Sequence, residues 1–291
     1  MMNRCAEMRE MQEGALVSTD WLQRECQNPH LIVLDATMAS ITGENNEVAR
    51  RKYIPGAVIF DIHGQFSDPA SPLPHTVPDD DAFQRAVNQL GLRPDSVIVI
   101  YDAKGIYSAP RAWWLLKLMG HQQVYVLNGG LPGWLAEGKP VMDVPAPPVA
   151  GRDWQPKWQA KRQPAWIAGW PDIVQVAGLP GHHVIDVRAA ERFSGQQPEP
   201  RPELRSGHIP HAVNLPFAGF LEGGRYLAQH QLRARFEEQQ IHPNDRLYFS
   251  CGSGVTACIG FLAAYQCGYK NLAVYDGSWA EWGQRTDLPI A

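Results

Sequence analysis

The sequence predicts an α/β protein of two tandem domains, each a doubly wound, mainly parallel sheet flanked by helices. Three observations carry this expectation. The same order of elements appears twice along the chain. Within each half, short apolar runs of strand length alternate with helical patterns, as a parallel sheet requires. A proline-rich run separates the halves. At 291 residues the chain has length for two cores.

In the first half, strand Leu31 to Leu34 precedes Ile54-Pro55-Gly56-Ala57-Val58, and strand Val97 to Tyr101 leads into helix Ala109 to Met119. Strand Val124 to Leu127 follows, and Asn128-Gly129-Gly130-Leu131-Pro132-Gly133-Trp134 closes the half. The second half repeats the order: strand Val184 to Val187, Ile209-Pro210-His211-Ala212-Val213, strand Arg246 to Phe249, helix Val255 to Gln266 and strand Leu272 to Tyr275. It closes with Asp276-Gly277-Ser278-Trp279-Ala280-Glu281-Trp282. Each half spans about 130 residues, enough for one doubly wound sheet. The run Val144-Pro145-Ala146-Pro147-Pro148-Val149-Ala150-Gly151 cannot join a helix or a central strand. The expected division is a first domain over 1–143, with 1–14 as an extension, a linker over 144–160 and a second domain over 161–291.

Composition narrows the function. The chain is 44% hydrophobic and 19% charged, with a net charge of -4. That balance argues against a polyanionic partner, so no nucleic acid is expected. No apolar run approaches the roughly eighteen residues of a membrane span, and no apolar signal core stands near the N-terminus, so the expected location is the cytoplasm. The five cysteines, Cys5, Cys26, Cys251, Cys258 and Cys267, contain no CxxC pair, which indicates neither a disulfide framework nor a zinc site.

The chemistry is expected at Cys251-Gly252-Ser253-Gly254-Val255-Thr256-Ala257. This stretch sets one cysteine between a buried strand and a buried helix, where loop amides and a helix N-terminus are placed to hold a thiolate. The glycines on either side of Ser253 leave room for a ligand to approach the backbone. In the first half Asp102-Ala103-Lys104-Gly105 occupies the corresponding place, so only the second half is equipped as a thiol catalyst. Ligands of open α/β sheets bind at the carboxyl ends of strands, where both Asp102 and Cys251 are expected.

A tandem duplication with an aspartate loop in the first copy and a CGSGVTA loop in the second resembles the two-domain rhodanese, or sulfurtransferase, family. The likeness runs from Asp20-Trp21-Leu22 through Ser108-Ala109-Pro110-Arg111-Ala112-Trp113-Trp114 to Tyr275-Asp276-Gly277-Ser278-Trp279. The loop is similar to that of the 3-mercaptopyruvate branch, whereas the thiosulfate-using branch carries basic residues where this chain has Gly252 and Ser253. Charge supports the distinction. Thiosulfate bears charge next to the transferred sulfur and gains from cations beside the cysteine. Mercaptopyruvate bears its charge on a carboxylate farther out, which asks for a bidentate arginine. The resemblance implies that Arg192 and Arg201, in the segment after strand Val184 to Val187, hold that carboxylate and the keto oxygen. It also implies that His75, in Ser71-Pro72-Leu73-Pro74-His75, reaches the active site. The family's acid-Ile-acid segment reads Asp61-Ile62-His63 here.

Ser253 and Thr256 lie within loop reach of a persulfide, with an N-cap hydroxyl as the ordinary role for either. Trp279 and Trp282 read as core packing, Cys258 as an inert thiol on a buried helix, and the pair His182-His183 as residues preceding a strand with no partner pattern. The resemblance implies a ping-pong transfer: Cys251 takes sulfur from 3-mercaptopyruvate, pyruvate leaves, and a thiol, possible acceptors including thioredoxin, takes the outer sulfur. The binding set is then Gly252, Gly254, Val255 and Thr256 with Arg192, Arg201 and His75; Ser253 joins Cys251 in catalysis; no metal or organic cofactor is called for. The alternatives are a thiosulfate sulfurtransferase and a non-catalytic sulfur carrier or binding module. A cysteine phosphatase needs an arginine to close its loop, where Ala257 and Cys258 stand here.

Overall fold

The computed structural model describes residues 14–38, 51–148 and 158–291. Strands β1 (Leu16–Val17), β2 (Leu31–Asp35), β3 (Val58–Ile59), β4 (Val97–Tyr101) and β5 (Val124–Leu127) form one five-stranded sheet in the order β1-β5-β4-β2-β3. Strands β6 (Ile167–Ala168), β7 (His182–Asp186) and β8 (Val213–Asn214) belong to a second sheet. A two-stranded hairpin, β9 (Leu221–Glu222) and β10 (Arg225–Tyr226), stands apart from it. With β11 (Arg246–Ser250) and β12 (Leu272–Tyr275) the second sheet has the order β6-β12-β11-β7-β8. The pairings within both five-stranded sheets are parallel. The two orders are the same when β1 to β5 are set against β6, β7, β8, β11 and β12. The fold is therefore a duplication of one α/β unit.

The chain forms two compact units. Among the described residues, one comprises those up to Phe66, those within Pro78–Arg162 and Gly223–Arg225; the other comprises Ser67–Val77, Gln163–Glu222 and Tyr226–Ala291. The loop carrying His75 thus belongs with the second sheet. Within the expected linker, Ala146 donates its amide to Ala57 at 2.8 Å, and Trp158 packs edge-on against Phe83 at 6.0 Å, both inside the first unit. Residues 149–157 and 1–13 lie outside the described residues.

Both central strands are buried, which is why Val97-Ile98-Val99-Ile100-Tyr101 and Leu247-Tyr248-Phe249 read as nearly continuous apolar runs. Helix Ala109–Leu118 buries nine of its ten residues, and helix Ala257–Gln266 buries eight of ten. The second helix lies close on its sheet. A Cβ at Gly260 would stand 2.8 Å from the Phe249 ring and 3.0 Å from Val187, so only glycine permits the approach.

Two expected boundaries differ by two residues, and several others by one. The helix starts at Ala257, because Val255 and Thr256 are used in the turn that leaves β11. Strand β7 starts at His182, two residues before the expected Val184. His182 and His183 sit in ladder register with Arg246 and Leu247, and His183 has a partner after all, its Nε2 lying 3.0 Å from Asp245. These half-buried residues stand at the strand's polar end, which apolar periodicity does not detect. No helix among the described residues is long and apolar enough to cross a membrane.

Candidate active site

Strand register places the two loops in equivalent positions. Tyr101 pairs with Asp35 across β4 and β2 as Ser250 pairs with Asp186 across β11 and β7, so Asp102 and Cys251 are the next residues on matched strands. The equivalence extends to the following turn. Leu131 donates its amide to the Asp102 carbonyl at 3.0 Å, and Trp279 donates to the Cys251 carbonyl at 2.9 Å. Gly105 and Gly254, each three residues on, both have positive φ, +97° and +77°. Both loops lie where successive connections leave the sheet in opposite directions, the crevice in which open α/β sheets bind ligands.

The first loop displays what such a turn holds. The Asp102 carboxylate is completely buried, and its Oδ2 accepts the amides of Tyr107, Ser108 and Ala109 at 2.8, 2.9 and 2.9 Å, while Oδ1 accepts that of Lys104 at 2.8 Å. Burial pushes this carboxyl above its usual range, and the four amide donors pull the other way. The turn is an anion cradle filled by its own side chain. In the second loop the corresponding positions are Ser253, Thr256, Ala257 and Cys258, around a cysteine that is 2% exposed.

The loop around Cys251 is anchored on both sides. The Cys251 amide donates to Ser278 Oγ at 3.2 Å, and the Gly252 carbonyl accepts the Ala280 amide at 2.8 Å. His75, buried and at φ +61°, sets its Nδ1 3.1 Å from Ser253 Oγ. Its loop is held by the Asp276 carboxylate, which accepts the Val77 amide at 2.8 Å. Ser253 therefore has a histidine partner and is not the helix cap. Thr256 occupies the cap position without a side-chain cap bond. Asp61 accepts the amide of Gly64 in its own turn.

The arginines form a graded network. Arg188, fully buried, grips Asp186 through Nε and Nη2, meets Glu199 Oε1 at 2.7 Å through Nη1, and lies over the Trp279 ring at 4.3 Å. Glu199 also receives Nε and Nη2 of Arg192. Arg192 sits beside the Cys251 loop: its Nη2 lies 3.3 Å from where a Cβ on Gly252 would stand. Gly252 thus leaves the space the guanidinium occupies. Arg201 is half-buried in the same segment and has no carboxylate partner among the described residues. Gly254 and Val255 are buried in the loop, and Trp279 and Trp282 are core residues at 0% and 1% exposure. Cys258 is buried with its Sγ 3.4 Å from the Gly254 carbonyl, and no group of potential metal ligands occurs among the described residues. Sequence reasoning passed over Arg188, Glu199, Asp276 and Ser278.

Comparison with known proteins agrees with this architecture. Two stretches, residues 18–137 and 173–285, match the rhodanese-like domain family. The 3-mercaptopyruvate sulfurtransferase of Escherichia coli (strain K12) is 37% identical over 283 residues, covering 94% of this chain and 96% of the relative. The thiosulfate sulfurtransferase of Rattus norvegicus is 38% identical over 280 residues, covering 93% and 92%. The crystal structure of SseA from Escherichia coli, described as a rhodanese fold of 3-mercaptopyruvate sulfotransferases, matches with a TM-score of 0.80 at 34% identity, covering 91% of this chain and 99% of that one. With both copies matched and most of the length aligned, the chain belongs to the rhodanese-like family in its two-domain form.

Proposed function

We propose that this protein is a sulfurtransferase that takes sulfur from 3-mercaptopyruvate onto Cys251 and passes it to a thiol, releasing pyruvate. The observation that carries the mechanism is the Asp102 cradle. A persulfide sulfur lies one atom beyond Cys251 Sγ, as Asp102 Oδ2 lies one atom beyond Cγ. Amides arranged like those around Asp102 would stabilise the terminal sulfur anion of a persulfide without reorganising.

In the first step the Cys251 thiolate attacks the donor sulfur and the carbon–sulfur bond breaks. Its electrons leave with the pyruvate enolate, which takes a proton. Arg192 and Arg201 orient the carboxylate and keto oxygen, Arg192 from beside Gly252 and Arg201 as a cation with no carboxylate partner among the described residues. Ser253, paired with His75, faces the same step with a hydroxyl hydrogen-bonded to an imidazole. In the second step an acceptor thiolate, from thioredoxin or a small thiol, attacks the outer sulfur and Cys251 leaves as the thiolate. That acceptor must be a free thiol, which fits a reducing cytoplasmic setting; Cys26, Cys251, Cys258 and Cys267 are all free.

The donor is chosen on local charge, because overall identity is 37% and 38% to relatives named for either donor and does not separate them. Asp186, Glu199, Arg188 and Arg192 balance one another, and no cation stands in the loop at Gly252 or Ser253. That environment suits a monoanion whose charge is remote from sulfur better than a dianion charged beside it. Steady-state kinetics on both donors tests the choice. A kcat/KM at least tenfold higher for 3-mercaptopyruvate is expected; a higher value for thiosulfate would overturn it.

A further inference from the structure

We propose that Ser278 is a positioning residue for the Cys251 nucleophile, its hydroxyl fixing the backbone of the catalytic loop at the cost of a strained backbone at Ser278 itself. The proposal rests on Cys251 as the sulfur-accepting thiol. Four described residues other than glycine have positive φ, and two of them, His75 and Ser278, touch the Cys251 loop. Ser278 has φ +50° and is completely buried. Outliers of this kind persist where the surroundings over-determine them, and they cluster at functional sites.

The duplication supplies an internal control. The residue of the first copy equivalent to Ser278 is Gly130, at φ +52°. A Cβ there would stand 2.5 Å from the carbonyl oxygens of Asp102 and Gly105. Glycine is the residue this conformation favours, yet the copy with the cysteine carries a serine. What serine adds is a hydroxyl engaged on both sides. It donates to the Tyr275 carbonyl at 2.8 Å, which turns a lone pair toward the Cys251 amide at 3.2 Å. With Trp279 holding the Cys251 carbonyl at 2.9 Å, both peptide groups of the nucleophile are fixed, and with them the direction of Sγ. Asp102 needs no such device, because four amides hold its carboxylate directly. A thiolate has no second atom to be held until sulfur arrives.

The test uses Ser278→Gly, which removes the hydroxyl and the strain together, and Ser278→Ala, which removes the hydroxyl alone. Three quantities are read: the melting temperature, the steady-state kinetics with 3-mercaptopyruvate, and the rate at which iodoacetamide alkylates Cys251, followed by peptide mass spectrometry. Ser278→Gly should melt at or above the wild-type temperature, while kcat and the alkylation rate fall about five- to tenfold in both variants and KM stays within twofold. An alkylation rate within twofold of wild type in Ser278→Gly would overturn the proposal. So would losses confined to Ser278→Ala that follow a lowered melting temperature, since the hydroxyl would then serve stability only. Alkylation does not depend on the donor, so a wrong donor assignment leaves this outcome readable.

Discussion

Replacing Arg192 by alanine separates substrate binding from structural support. In the structure Arg192 is about a quarter exposed and shares Glu199 with Arg188. Its removal leaves Glu199 still paired with Arg188 Nη1 at 2.7 Å, so no buried carboxylate is stranded. The stability cost should stay well below the roughly 3–5 kcal/mol that unpairing a buried charge costs. A charge-assisted bond to the donor carboxylate is worth about 1.5–3 kcal/mol, so kcat/KM for 3-mercaptopyruvate should fall about ten- to a hundredfold. Arg192→Lys should recover only part, because an ammonium cannot share its donors between Glu199 and a substrate in one plane. The assay is pyruvate release, set beside the rate of Cys251 alkylation by iodoacetamide, which presents no carboxylate. Equal losses in both reactions would refute the reasoning, since Arg192 would then act on the loop or the thiolate.

Three further outcomes follow from the same network and its surroundings. Arg188→Ala strands the buried Asp186, leaving Glu199 to Arg192 alone, and should cost about 3–5 kcal/mol in denaturant unfolding, far more than Arg192→Ala. Gly252→Arg places a side chain 3.3 Å from Arg192 Nη2 and a cation beside the thiolate. The ratio of thiosulfate to 3-mercaptopyruvate activity should therefore rise, and an unchanged ratio in a folded variant would place donor choice elsewhere. Burial pushes the Cys267 thiol up to about 11, so it should resist iodoacetamide at pH 8 while Cys251 reacts. The folded state keeps this thiol neutral where the unfolded chain ionises it. The stability it contributes is complete below the unfolded thiol's pKa of about 8.5 and is lost as pH rises toward 11; Cys267→Ala should flatten that decline in alkaline unfolding curves.

The fold was legible because Val97 to Tyr101 and Leu272 to Tyr275 are buried strands whose side chains meet apolar surroundings on both faces, leaving unbroken apolar runs. Repetition of the order then fixed the duplication. The proposed nucleophile, Cys251, was legible as a candidate for a similar reason: a strand end, a cysteine and a small-residue loop are adjacent in sequence. What escaped was mostly long-range. His75 and Ser253 are 178 residues apart and meet at 3.1 Å only through tertiary folding, so the family likeness pointed to the histidine and the residues alone did not. Arg188 is buried, against the usual habit of arginine, because Asp186, Glu199 and the Trp279 ring surround it. Ser278 had a signal that went unused: aligned on the closing motifs it faces Gly130, a hint of positive φ at both positions.

The most direct test of sulfur transfer through Cys251 is mass spectrometry of the protein after treatment with 3-mercaptopyruvate and no acceptor, beside a pyruvate assay. Wild-type protein should gain about 32 Da on the peptide containing Cys251 and release one equivalent of pyruvate, the adduct vanishing when a thiol is added. Cys251→Ser, nearly isosteric, should keep its fold and do neither, while Cys258 and Cys267 remain unmodified. Pyruvate turnover in Cys251→Ser at a tenth or more of the wild-type rate, or the added sulfur on another cysteine, would contradict the assignment.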